Sequence, residues 1–150
     1  MSCVLAAARA DLVSAVGAVA GLRFGARHTP TRPVPILAFH GTADRINPYL
    51  GGGTPRWDES VEESARHWAA ANRMPEQPEV VAVSPTLTRT TYGAEGEPGE
   101  VTLFTCKGAG HTWPGAHPGL LLRLLLGRTS TEIDATSSIW KFHQAHAGEG

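Results

Sequence analysis

The side chain in this sequence best placed for proton-transfer chemistry is His111. It follows a run that reads as a buried strand, Val101 to Thr105, and then a glycine-rich turn, in VTLFTCKGAGHTWPG. A strand that ends in a tight turn and hands a histidine to the next loop is how open α/β sheets present a base at their carboxyl edge. Asp44 stands in the same relation to an earlier apolar run, Val34 to Phe39, in VPILAFHGTADRINPY. In a parallel sheet two such loops meet at one edge. An aspartate that accepts from one imidazole nitrogen fixes the tautomer and supports the imidazolium, which leaves the other nitrogen as a general base. Asp44 has a second reading, as a turn aspartate bound to its own backbone, and on this segment alone that reading comes first.

No nucleophile accompanies the pair. Asp before His is the order of the last two members of an α/β-hydrolase triad, whose serine sits upstream in a G-x-S-x-G elbow. None of the eight serines has glycines at those offsets. Cys106 is the one thiol near His111 in sequence, but Lys107-Gly108 follows it and it reads as a strand end. His40-Gly41 is of the oxyanion type, yet nothing suitable as a nucleophile follows it.

The elements that must hold these residues fit one domain. The chain has 150 residues, 41% hydrophobic and 18% charged, with 13 basic and 14 acidic side chains for a formal net charge of −1. That is a globular composition with room for one core. No run or patch of Lys/Arg points to nucleic acid as a partner. No apolar stretch is long enough for a membrane span. Arg9 and Asp11 interrupt the apolar N-terminal run, so it reads as a helix and strand and not as a signal peptide. Two cysteines, Cys3 and Cys106, permit a staple without implying one.

Taken in order, Ser2 to Ala10 is helix-favouring and Val13 to Ala20 suits a strand covered on both faces. Leu22 to Pro33 is a solvated connector, basic at Arg23, Arg27 and Arg32. Val34 to Phe39 is a second strand buried on both faces. Gly51-Gly52-Gly53 lacks the Lys and Ser/Thr of a phosphate loop and is read as a linker or mobile loop. Asp58 to Asn72 is an amphipathic helix with Val61, Ala65, Trp68 and Ala69 on its apolar face, capped by Asp58 or by a Ser60–Glu63 box. Residues 86–92 and 101–106 form an antiparallel hairpin whose acidic tip is exposed and mobile. Leu120 to Leu126 is expected as a helical turn packed under the rim, with a lid over an apolar substrate as the alternative. Ile133 to Ala145 is a last helix, capped from Thr129 to Glu132, with Ile133, Trp140 and Phe142 toward or beside the sheet. His143 and His146 on it lack a third metal ligand and are expected at a solvated helix end. The order of helix, strand, strand, helix, hairpin and helix describes one side of a doubly wound α/β sheet.

With these stretches set out, the chain resembles the C-terminal part of the polyhydroxybutyrate depolymerase / feruloyl esterase-like group of secreted α/β hydrolases. The resemblance is carried by VPILAFHGTADRINPY (34–49), the glycines at 51–52 with Trp57, ARHWAAAN (65–72), TRTTYG (88–93), VTLFTCKGAGHTWPG (101–115) and IDATSSIWKFHQAH (133–146). FHGTAD with NPY and GHTWPG together is the specific combination. Two positions depart from the pattern: Met74 stands where the family often has Cys, and Ala109 where it often has a third glycine.

The resemblance implies the C-terminal half of an α/β hydrolase, an incomplete domain over 1–150 with a mostly parallel sheet, flanking helices and a hairpin insertion. It implies Asp44 as triad acid and His111 as triad base. It implies that Met1-Ser2-Cys3 continues the helix after the elbow, VGAVAG (16–21) is the next strand, and the serine lies just before Met1. Trp113 would line the acyl or alcohol pocket, or else pack under its loop. Two-step ester hydrolysis is then the expected chemistry of the complete protein, with a small ester or polyester as substrate, no metal or cofactor, and an extracellular location. Two other readings stay open: a non-catalytic remnant or partner-dependent binding module, and a thioesterase or peptidase of the same fold.

Overall fold

The computed structural model describes residues 2–25, 29–54 and 57–147; Met1 and Arg27 lie outside the described residues. Its elements are α1 (Ser2–Ala8), β1 (Val16–Val19), β2 (Ile36–Gly41), α2 (Val61–Ala71), β3 (Glu79–Ser84), β4 (Leu87–Tyr92), β5 (Val101–Cys106), α3 (Leu120–Leu126) and α4 (Ala135–Ala145). The strands form one five-stranded sheet in the order β1-β2-β5-β4-β3. β1, β2 and β5 are parallel neighbours, and β4 and β3 extend the sheet as an antiparallel ribbon. This is a mixed α/β fold with four flanking helices, consistent with part of an α/β-hydrolase domain.

β2 shows why the sheet is covered twice. All six of its residues are buried. Alternate side chains of a strand point to opposite faces. Ile36 and Ala38 join a core with Trp68, Leu103 and the α1 alanines, whereas Leu37 and Phe39 join Ala135 and Phe142 of α4. Gly17 of β1 completes the second face, since a Cβ there would collide with Ile139.

α2 forms where its pattern predicts. Ser60 caps it in a reciprocal box with Glu63, which decides between the two capping readings. Trp68 is fully buried, and its indole N–H donates to the Arg23 carbonyl at 2.8 Å. Buried aromatic rings of this kind keep a partner for their polar atom.

Five expectations are corrected. Glu79–Ser84 is a full strand, β3, so the hairpin is the inner part of a three-stranded antiparallel unit. β1 pairs only from Val16 to Val19, because its register with β2 begins at Ile36. α3 does not pack under the rim: none of its residues is buried, and Leu120, Leu121, Leu124 and Leu125 are each at least 70% exposed. It is helical because leucine is a strong helix former, with Gly127 ending it at φ 92°. α4 starts at Asp134, whose carboxylate caps Ser137, and its sheet-facing stripe is Ala135, Ile139 and Phe142. Trp140 is one position off that stripe and is 64% exposed.

The fifth correction concerns the hairpin tip and the end of α4, which hold each other. The His146 ring sits between the Phe142 and Glu97 carbonyls, with the Glu100 carboxylate 3.7 Å from Nε2. The Asn72 amide donates to the Gly99 carbonyl, and the buried Glu100 carboxylate accepts from Thr102 and from the Gly96 N–H. The tip is therefore anchored at its far end, and His146 is not solvated.

Trp68 and the α3 leucines set two extremes of burial. Trp68→Ala should lower the free energy of unfolding by about 3–5 kcal/mol in urea titrations. Leu124→Lys should change it by no more than about 0.5 kcal/mol.

Candidate functional site

β2 and β5 run side by side with Gly41 opposite Cys106. The two chains leaving this edge are stitched together at once. Thr42 N–H donates to the Cys106 carbonyl at 3.1 Å, Ala43 N–H to the Ala109 carbonyl at 2.9 Å, and Gly108 N–H to the Thr42 hydroxyl at 2.9 Å. The approach is close enough that a Cβ on Gly41 would run into the Ala109 carbonyl. Gly108 has φ 73°, whereas Ala109 is not in the left-handed region. An alanine at 109 is therefore accommodated, and the glycine requirement falls on Gly108.

This stitching brings Asp44 and His111 together. His111 Nδ1 lies 2.9 Å from Asp44 Oδ2. Asp44 is buried and its side chain has no solvent exposure, while 31% of the His111 side chain remains open. The other carboxylate oxygen, Oδ1, accepts from the Ile46 N–H at 2.8 Å and the Asn47 N–H at 2.9 Å. Asp44 thus closes a turn with its own backbone through one oxygen and meets His111 through the other. With Nδ1 donating to a carboxylate, the proton is on Nδ1 and Nε2 is the free lone pair. Among the described residues Nε2 has no hydrogen-bond partner.

The His111 loop is held from its other side by the chain that follows α3. Gly110 N–H donates to the Arg128 carbonyl and His111 N–H to the Leu126 carbonyl at 2.7 Å. Trp113 lies beyond, 47% exposed, with its indole N–H donating to Thr136 Oγ1 at 3.0 Å. It is thus tied to the start of α4 and not packed under its own loop.

Cys106 is a buried strand end, and burial pushes its thiol up from the ordinary value, which disfavours the thiolate. Both cysteines are free thiols. A cavity of about 340 Å³ lies between α4 and the hairpin tip, lined by Phe104, Phe142, Arg89 and Lys141, and does not include His111. Among the described residues no three His, Cys, Asp or Glu side chains gather as a metal set. No described helix is long and apolar enough to cross a membrane.

Two residues take places at the site that the sequence reading did not assign them, His40 and Asn47. The His40 side chain is wholly buried beneath Asp44, between the rings of Tyr49 and Trp57. Its Nε2 is 2.9 Å from the Asn47 carbonyl and 3.4 Å from Asp44 Oδ2. Asn47 in turn donates its side-chain amide to the Ala20 carbonyl at 2.6 Å. The available signal was the continuous FHGTADRINPY run, in which His40 and Asn47 flank Asp44.

In comparisons with known proteins, no family model matches the chain. It is 30% identical over 131 residues to a protein named "Putative esterase NocK" from Nocardia uniformis subsp. tsuyamanensis, a match that covers 74% of this chain and 38% of that protein. The chain therefore spans well under half the length of this relative. The likeness is partial, and together with the sheet and the Asp44–His111 pair it gives the chain a general esterase-like, α/β-hydrolase-like character.

Burial holds the His40 pKa below its ordinary 6.5, outweighing the Asn47 carbonyl and Asp44, which pull it up. As pH falls past about 6.5 the unfolded chain binds a proton at this histidine and the native chain does not, so stability is full above that pH and is lost below it. Urea midpoints measured from about pH 8 to about pH 5 should fall with acidification, and His40→Phe should flatten part of that fall.

Proposed function

We propose that this chain carries the acid and base of a serine carboxylic-ester hydrolase of the polyhydroxybutyrate depolymerase / feruloyl esterase-like kind. Asp44 is the acid, His111 the base, and the nucleophilic serine comes from polypeptide outside these 150 residues. The observation that carries the reading is the 2.9 Å contact between His111 Nδ1 and Asp44 Oδ2, made across neighbouring parallel strands with Nε2 left free. The partial likeness to a protein named as an esterase supports the same reaction class.

The chemistry follows from that geometry. His111 Nε2 takes the hydroxyl proton as the serine oxygen attacks the ester carbonyl. The ring becomes an imidazolium, stabilised by the Asp44 carboxylate on Nδ1. Nε2 then gives the proton to the departing alkoxide oxygen, which leaves as the alcohol and an acyl-serine remains. Water, deprotonated by the same nitrogen, attacks the acyl carbon, and the proton returns to serine as the acid is released. Asp44 stays an acceptor throughout, because the Ile46 and Asn47 N–H groups hold its second oxygen in charge-stabilising hydrogen bonds. Trp113, half exposed on the rim beside His111, is proposed as a wall of the acyl or alcohol site.

The test uses a longer polypeptide that includes the segment before Met1 and a serine in a G-x-S-x-G turn. Steady-state hydrolysis of short acyl esters should fall about 10³- to 10⁴-fold or more in His111→Ala, with Asp44→Asn close to it. KM should change little in both. Full activity in His111→Ala would rule this assignment out. The 150-residue chain alone should not label with serine-directed phosphonates.

A further inference from the structure

We propose that His40, acting through Asn47, is the residue that positions Asp44 for His111. The inference rests on the Asp44–His111 reading above.

The connection is a chain of hydrogen bonds. His40 Nε2 donates to the Asn47 carbonyl at 2.9 Å, and the Asn47 N–H donates to Asp44 Oδ1 at 2.9 Å. The Asn47 side chain is fastened to the Ala20 carbonyl at 2.6 Å, which ties the Asp44 loop to the end of β1. Ala20 itself has φ 50°, a left-handed conformation unusual for alanine. Such conformations persist where surrounding contacts impose them, and they cluster at functional sites. The same edge of the His40 ring lies 3.4 Å from Asp44 Oδ2, the oxygen that His111 uses.

The state of the ring supports the assignment. Nε2 faces a carbonyl and a carboxylate, so it carries the proton, and Nδ1 is a bare lone pair. Nδ1 is buried and has no partner among the described residues. A buried unpaired acceptor costs stability, and an apolar ring of similar size would not carry that cost. If packing between Tyr49 and Trp57 were the whole role of residue 40, phenylalanine would serve better. The Nε2–H is what phenylalanine cannot supply.

Two substitutions separate the roles. His40→Phe keeps a ring between Tyr49 and Trp57 but has no donor. His40→Gln loses the ring but can place an amide N–H where Nε2 stands. The readout is the low-field Nδ1 proton of His111 and the ¹⁵N shifts of its ring, recorded on the 150-residue chain, with Asp44→Asn as reference. The wild-type chain and His40→Gln should show the proton on Nδ1. In His40→Phe that proton should exchange with water about tenfold faster or vanish, with both ring nitrogens sharing the proton. The opposite order, signal kept in His40→Phe and lost in His40→Gln, would show a packing role and overturn the proposal. An unchanged signal in all variants except Asp44→Asn would overturn it too, while leaving the Asp44–His111 reading intact. An unchanged signal in Asp44→Asn would remove that reading and this one together. If His40→Phe does not unfold cooperatively, His40→Asn, whose amide falls short of the Nε2 position, replaces it with the same expected loss.

Discussion

Parallel pairing of β2 with β5 is the constraint on which this structure depends. It sets Gly41 opposite Cys106, so the two chains leave the sheet side by side and in the same direction. Within three residues they exchange backbone hydrogen bonds, and the absence of a side chain at Gly41 lets the Ala109 carbonyl come in. The Asp44–His111 contact is downstream of that approach. Asp44 and His111 are far apart in sequence, yet neither has to travel more than a short loop from the sheet edge to meet. A backbone latch of this kind is stiffer than side-chain contacts alone, because each strand is already fixed by its neighbours.

Asp44 shows how one small side chain satisfies local and long-range demands together. Its Oδ1 closes a turn with the next residues, and its Oδ2 accepts from a histidine of another loop. The turn removes the rotational freedom that would otherwise be lost when the histidine binds, so the pair forms on a preorganised acceptor. The layer beneath continues the same logic. His40, Asn47 and Ala20 link the carboxylate loop to β1, and Tyr49 links it to β5, its hydroxyl bonding Thr105 at 2.8 Å and Glu62 at 3.0 Å. Burial raises the Tyr49 pKa, so that hydroxyl keeps its proton.

The places where pattern and structure part have a common cause. The apolar stripe of α2 was legible because its period matches a helix resting on a flat sheet, and Trp68 lands in the core. The leucine run of α3 obeys the same helical preference but none of its residues is buried, and the His111 loop ties down its C-terminal end, where the His111 N–H donates to the Leu126 carbonyl. Trp140 and Ile139 are adjacent, and only the direction in which α4 crosses β1 and β2 selects the smaller residue for the sheet. His146 went unrecognised as a buried group for the same reason: the Glu97 carbonyl and Glu100 carboxylate beside its Nε2 come from a hairpin tip some fifty positions away in sequence.

What the amino-acid sequence determines by itself is local: the strand or helix character of most segments, the amphipathic face of α2, and that an aspartate and a histidine each follow a buried strand. These depend on residue period, β-branching and turn residues, all of which act within a few positions. The tertiary structure decided that β2 and β5 are neighbours, that His111 meets Oδ2 while the turn takes Oδ1, and that His40 lies buried beneath them. Those facts depend on strand order and register, which are set by the packing of both sheet faces at once. No local preference encodes them, because hydrogen-bond partners at the sheet edge are chosen by which strand lies next door.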